Sequence, residues 1–361
     1  VGNPLVLRIL LALIVAGCLY GVYASRAERA EFRVHVAFLA SQDDEDYVGA
    51  KAFEETVEKL LPGRVDVRIF PSGQFCSSER ECIEALQSGI LEMHQTTIGG
   101  LAALYGAAQV LDLPYAFRDD TIAECVLDGP LVRAMGDAIL QQDLGLRLMA
   151  IGNTGGWRAF ATTTTPVNGP ADLRGLRLRT LPSALEQQMV RELGANPMPL
   201  AFSELYGALG AGLLDGTKNS PQDIVGQKLH DHLRNLYVDR HSYMTSIWWY
   251  SDVQWRKLPP DVQAAFAQGF RSLAAATRAA AASREAPALA DFERRGGRIV
   301  VADAAQRAEM KAATLGLREW YVGRYGRDWL DRMDAAVAEC ERLHPVNATA
   351  AASAAALDQA R

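Results

Sequence analysis

Residues 258–297, "LPPDVQAAFAQGFRSLAAATRAAAASREAPALADFERRGG", read as one long helix, and no other stretch constrains the fold as strongly. Pro260 suits a first helical turn, where its missing N–H leaves no bond unmade, and Gly296 and Gly297 end the run. At 1.5 Å per residue the helix extends over about 50 Å, more than the width of a small domain. A chain of 361 residues is long for one core and suggests two domains. Such a helix must then lie across both. Pro287, inside it, is expected to kink or break it, because the ring lacks an N–H and clashes with the preceding turn.

The first hundred residues of the mature region alternate strand and helix. "FRVHVAFL" (32–39) has strand alternation, and the acidic turn "SQDDEDY" leads into the helical "VGAKAFEETVEKLL". "PGRVDVRIFPSG" (62–73) is a second strand bounded by turn residues. "SSERECIEALQSG" (77–89) is a helix with a serine cap and a glycine end, and "ILEMHQTT" a third strand. This order predicts a parallel α/β sheet, whose ligands gather beyond the carboxyl ends of the strands. Those ends are the polar "ASQDD", "PSGQF" and "QTTIGG".

A second α/β unit follows. "GLRLMAIGNTGGWRAFATTTTPV" (145–167) reads as a strand, a glycine turn and a second strand carrying Arg158. "GLRLRT" (175–180) alternates Leu176, Arg177, Leu178 and Arg179, which puts both arginines on one strand face about 6.5–7 Å apart. Neither can shed its charge, so the pair invites an anion. A helix over about 184–193 precedes "NPMPLAFSELYGALGAGLLDGTKNS" (196–220), where a helix capped by Ser203 runs to Gly212 and the exit carries Lys218 and Asn219. Residues 304–342 supply further amphipathic helix, and the tail 346–361 is low in complexity and expected to be disordered.

Residues 1–24 have the form of an export leader: Arg8, the apolar run 9–24, and the small-residue pattern "VYA". "VAGC" (15–18) also resembles a lipobox, which would make Cys18 a lipid anchor. Export implies an oxidising setting for Cys76, Cys82, Cys125 and Cys340, which allow three pairings; Cys76 and Cys82 are near enough in sequence to bridge. A net charge of −6 argues against a nucleic-acid partner. No hydrolase, nucleotide-binding or metal-ligand spacing occurs, so no metal or cofactor is expected.

The stretches "FPSGQF…SERECIEALQSGILEM", "LDLPYAFRD", "GWRAFATTTTPVNGPADLRGLRLRT", "LGANPMPLAFSELYGALGAGLLDGTKNS" and the single long helix carry a family resemblance. Over about 32–342 the chain resembles the extracytoplasmic solute-binding proteins of tripartite ATP-independent periplasmic (TRAP) transporters. The resemblance implies a two-lobed α/β periplasmic-binding-protein architecture with hinge strands and one long kinked helix spanning both lobes. The lobes would be 31–155 with about 244–283, and 156–243 with about 284–325, followed by a C-terminal helix at 326–345. It implies capture of a small organic acid and delivery to TRAP membrane permease subunits, by a monomer that is not an enzyme. Carried over by residue, Arg179 holds the ligand carboxylate, with Arg158, Asn219 and Phe202 beside it in the second lobe. Gln42, Glu79 and Thr97 of the first lobe read the distal end, and Trp157, Tyr243, Trp248 and Trp249 are candidates for the pocket wall. Thr97 stands where sialic-acid-specific members carry an acid, which disfavours an amino sugar acid. The competing readings are a periplasmic enzyme on a small carboxylate, needing a base such as Glu79 or Asp43, and a ligand sensor.

Overall fold

A computed structural model describes residues 30–345. The leader with Cys18 and the tail 346–361 lie outside the described residues. Two sheets form the frame. In the first, β1 (Phe32–Ala37) lies between β2 (Val65–Phe70) and β3 (Met93–Thr96), all parallel. Their crossovers are α1 (Glu45–Leu60) and α2 (Glu79–Ser88). Asp44 caps α1 by accepting from Asp46 N at 3.0 Å. Ser78 caps α2, which ends at Gly89 in the left-handed region, φ 76°, as its sequence predicts. Beyond β3 come α3 (Ile98–Leu104), α4 (Asp120–Leu127) and α5 (Pro130–Leu140).

β4 (Leu146–Trp157) belongs to the first sheet, and β5 (Ala159–Thr162) to the second. The expected glycine turn at 152–156 is absent: β4 runs unbroken through it. Gly155 (φ 108°) and Gly156 (φ 86°) bend the strand on its way to the second sheet. Arg158 therefore sits between the two strands rather than on one. The second sheet adds β6 (Arg177–Thr180), α6 (Ala184–Glu192), β7 (Asn196–Pro199) and α7 (Leu205–Gly210). It continues with β8 (Gly216–Asn219), α8 (Pro221–Gly226) and β9 (Asn235–Val238). Ser203 does not cap α7. It lies within a 3-10 turn, Phe202–Glu204, that enters the helix.

β10 (Tyr243–Ser251) returns to the first sheet, antiparallel to β3 and β4. The two crossings adjoin each other: Arg158 N donates to Ser242 O at 2.9 Å, and Tyr243 pairs with Trp157. They have the layout of a double hinge. Over them runs α9 (Pro260–Arg294), 35 residues without a break. Pro287 lies inside it and does not interrupt it, because the ring removes only one hydrogen bond from a helix held along both lobes. Phe266 and Phe270 pack on Phe53 of α1, while Phe292 enters the core formed by Leu205, Ile224 and Leu236. β11 (Arg298–Val301) completes the second sheet beside β9. The helices α10 (Ala304–Ala313), α11 (Gly316–Tyr325) and α12 (Asp328–Leu343) close the fold. The four cysteines pair as Cys76–Cys82 and Cys125–Cys340, the second tying α4 to α12. Among the described residues no helix is long and apolar enough to cross a membrane.

Candidate functional site

The alternating strand separates its two arginines chemically. Arg177, at the outer end of β6, forms a two-pronged pair with Asp215, at 3.0 Å from Nε and 2.7 Å from a terminal nitrogen. Arg179 is 2% exposed and, among the described residues, has no carboxylate within ion-pair distance. Its Nε donates to Leu200 O at 3.0 Å, its guanidinium lies 5.6 Å from the Phe202 ring centroid, and one terminal nitrogen is buried without a partner. Burial pushes the group down to about 10, with Glu186 opposing the shift. A buried guanidinium with an unmade bond is a demand for an acceptor.

Arg158 lies behind it, donating to Lys218 O at 2.9 Å and standing 3.4 Å from Glu186 Oε1. Lys218 points inward from β8 to Glu186 Oε2 at 2.6 Å. Burial lowers Lys218 to about 8 against the pull of Glu186. The Glu186 carboxyl is held well below its usual range by Lys218 and Arg158 in spite of its burial. Asp112 joins the same group and is pushed up to about 7, first by burial and then by Glu186. This network was not read from the sequence. "GTKN" gives no sign that its lysine is buried, and Glu186, three residues after Ser183, has the place of an ordinary first-turn acid.

Asn219 is buried at the end of β8, accepting from Thr217 Oγ1 at 2.7 Å and donating to Asp223 Oδ2 at 2.9 Å. From the first lobe, Glu79 opens α2, and its Oε1 accepts from Thr97 N at 3.2 Å and Thr97 Oγ1 at 3.4 Å. Burial raises the Glu79 carboxyl, while Thr97 and the charge of Arg179 pull it back. The lobes touch here: a Cβ placed on Gly99 of α3 would lie 3.3 Å from Leu181 Cβ. Gln42 stays exposed on the turn before α1. The aromatic candidates Trp157, Tyr243, Trp248 and Trp249 are all buried. Trp157 donates to Asp120 at 2.9 Å and packs on Tyr243, Trp248 packs on Phe38, and Trp249 donates to Thr96 at 2.8 Å. Strand β10 is buried on both faces, so its aromatic run fills the interior.

Beside the arginines, at the hinge, sits a second group the sequence reading missed. Asp44 and Glu45 face Asp223 and Arg284 around a cavity of about 390 Å³, whose other walls include Gln222, and Asp46 lies buried beside Asp44. Asp46 accepts from Thr154 at 3.0 Å and from Ser246, one residue from each crossing strand, and Glu45 pairs with Arg284 at 2.9 Å. Burial and then Glu45 push Asp44 up to about 7, and burial above all lifts Asp223 to about 6. No group of three or more His, Cys, Asp or Glu among the described residues is placed to hold a metal ion.

Residues 36–319 match the family model described as "Bacterial extracellular solute-binding protein, family 7". A solute-binding protein of Verminephrobacter eiseniae is 28% identical over 314 residues, covering 87% of this chain and 91% of its own length. The C4-dicarboxylate-binding periplasmic protein DctP of Rhodobacter capsulatus is 30% identical over 257 residues, 71% of this chain and 76% of that one. Among solved structures, a TRAP periplasmic solute-binding protein from Sulfurospirillum deleyianum with bound succinate superposes with a TM-score of 0.78. It is 25% identical and covers 85% of this chain and 99% of its own.

Proposed function

The chain belongs to family 7 of the bacterial extracellular solute-binding proteins, the extracytoplasmic binding components of TRAP transporters for organic acids, and we propose that Arg179 is its carboxylate anchor. The observation that carries this is the Arg179 fork, 2% exposed, with a terminal nitrogen unpaired where the lobes meet. A carboxylate would complete it with two parallel charge-assisted bonds, the geometry a guanidinium is shaped for. Phe202 covers the anchor. Asn219 offers an amide beside it, and Arg158 adds positive charge from behind. Glu79, Thr97 and Gln42 come from the other lobe and would meet the ligand only on closure, so ligand and closed form stabilise each other.

The lobes divide in this reading as 31–155 with about 244–283 and 156–243 with about 284–325. The mature protein is a monomer that begins after residue 24 or is acylated at Cys18, and it hands its ligand to membrane permease subunits. Calorimetry over a panel of small carboxylates, with mass spectrometry of the ligand recovered afterwards, tests the reading. One-to-one binding of an acid recovered unchanged is expected. A protein that binds no carboxylate would refute the anchor, and intact mass separates the cleaved from the acylated form.

A further inference from the structure

We propose that the groove between residues 113–118 and the last three helices is a second binding site, which takes a single-chain alkyl carboxylate. It goes beyond the Arg179 cleft, whose residues form none of its walls.

The groove has a volume of about 660 Å³, against about 390 Å³ for the hinge cavity, and lies in the range of small-molecule pockets. Its floor is apolar. Leu113, Phe117, Leu317 of α11 and Met333 of α12 supply it, all buried, and Leu315 lines it while 57% exposed. One wall is held in strained backbone. Tyr115 has φ 57°, which a bulky side chain seldom adopts. Its N–H donates to His241 O at 2.7 Å and its hydroxyl to Asp239 Oδ2 at 2.6 Å. That wall is therefore fixed by the hinge segment, independent of any occupant.

The walls carry four cations and two acids. Arg318 pairs with Asp334, and Arg118 with Asp119 at 2.8 Å. Arg307 and Lys311 remain. They lie one turn apart on α10, where like charges repel, and among the described residues neither is in ion-pair contact with a carboxylate. Arg307 is near enough for its charge to act on the Tyr115 hydroxyl, which places it beside the strained wall. Set against Glu341, the remaining acid, the two cations leave the groove net positive. An anionic head at Arg307 and Lys311, with its alkyl chain on the floor, satisfies both halves of the site. A short acid would leave the floor wet, and an alkylammonium would find only Glu341.

Calorimetry at pH 8 compares dodecanoate with dodecylammonium and dodecyl maltoside, each below its micelle concentration. Dodecanoate is expected to bind at least about tenfold tighter than either. Octanoate should bind more weakly, by up to about fourfold for each buried methylene lost. Arg307→Ser with Lys311→Ser should weaken dodecanoate at least about tenfold and leave dodecyl maltoside unchanged. Arg179→Ala, which removes the cleft anchor, should bind dodecanoate as the wild type does. No dodecanoate binding, or equal binding of the cationic or neutral chain, overturns the proposal. An undiminished affinity in the double variant overturns it too, and binding lost in Arg179→Ala would place the chain in the cleft instead. A dimer in sedimentation that Leu315→Ser converts to a monomer would make a second copy the occupant, again against the proposal. Should the double variant not fold, the wild-type comparison of the three dodecyl probes decides alone.

Discussion

Two arginines separated by one residue have opposite fates on β6, and the difference can be measured. Arg179→Ala would leave a bound carboxylate without its principal donor, which by analogy with truncated buried charge pairs costs about 2–5 kcal/mol of binding. That is on the order of thirty- to several-thousand-fold in Kd. Arg179→Lys keeps the charge, loses the planar fork, and should fall in between. Arg177 already has Asp215 and lies at the solvent edge, so Arg177→Ala should leave the affinity within about threefold. Titrating the three variants with one ligand checks the assignment, and equal losses at 177 and 179 would overturn it. Arg179 was legible because alternation and a family motif coincide on it. Lys218, Glu186 and Asp112 were not, because each is satisfied by residues distant in the chain, and a buried charge looks like a surface one until its partner is placed.

Among the elements, the long helix and the capped α2 were readable because their end signals are local: proline at the start, glycine at the stop, serine at the cap. The stretch 152–156 misled because glycine marks a turn only when the chain reverses. Here positive φ at Gly155 and Gly156 turns the strand from one sheet into the next. Cysteine pairing is the opposite case, since spacing says nothing about a bridge between residues 215 apart. Cys125–Cys340 fastens the last helix to α4, and neither cysteine is among the residues that contact the Arg179 guanidinium. Cys125→Ser with Cys340→Ser should therefore cost stability, about 2–5 kcal/mol for so long a loop, without changing ligand affinity by more than about twofold. Calorimetric unfolding and a ligand titration of the double variant give both numbers. An unchanged unfolding temperature would mean that packing of α12 alone holds that end.

For the molecule as a whole, closure should take up protons. In the described structure, whose lobes touch between Gly99 and Leu181, Asp44 faces Asp223 across the hinge, with Glu45 and Asp46 on its own helix, Arg284 on α9, and Thr154 and Ser246 on the crossing strands. Of the cations, Arg284, held by Glu45, acts on Asp44, while Arg158 and Arg179 act on Asp223. Burial and repulsion push Asp44 up to about 7 and Asp223 to about 6. Opening separates and wets the two side chains and returns them toward ordinary carboxylate values near 4. The closed form therefore binds more protons than the open one between about pH 4 and 7. By linkage, closure and with it affinity strengthen as pH falls through that window. Above pH 7 both acids are ionised in either form, and affinity should become flat. Between pH 7.5 and 5.5, where the ligand carboxylate stays ionised, the gain should be on the order of a hundredfold. Titrations at pH 6 in two buffers of different ionisation enthalpy should show the uptake directly. Asp44→Asn keeps a competent helix cap, and Asp223→Asn still presents an oxygen to Asn219. The double variant should bind at pH 7.5 at least as tightly as the wild type does at pH 5.5 and show no buffer dependence. Wild-type affinity that is constant from pH 7.5 to 5.5 would show that the two acids do not separate when the lobes open.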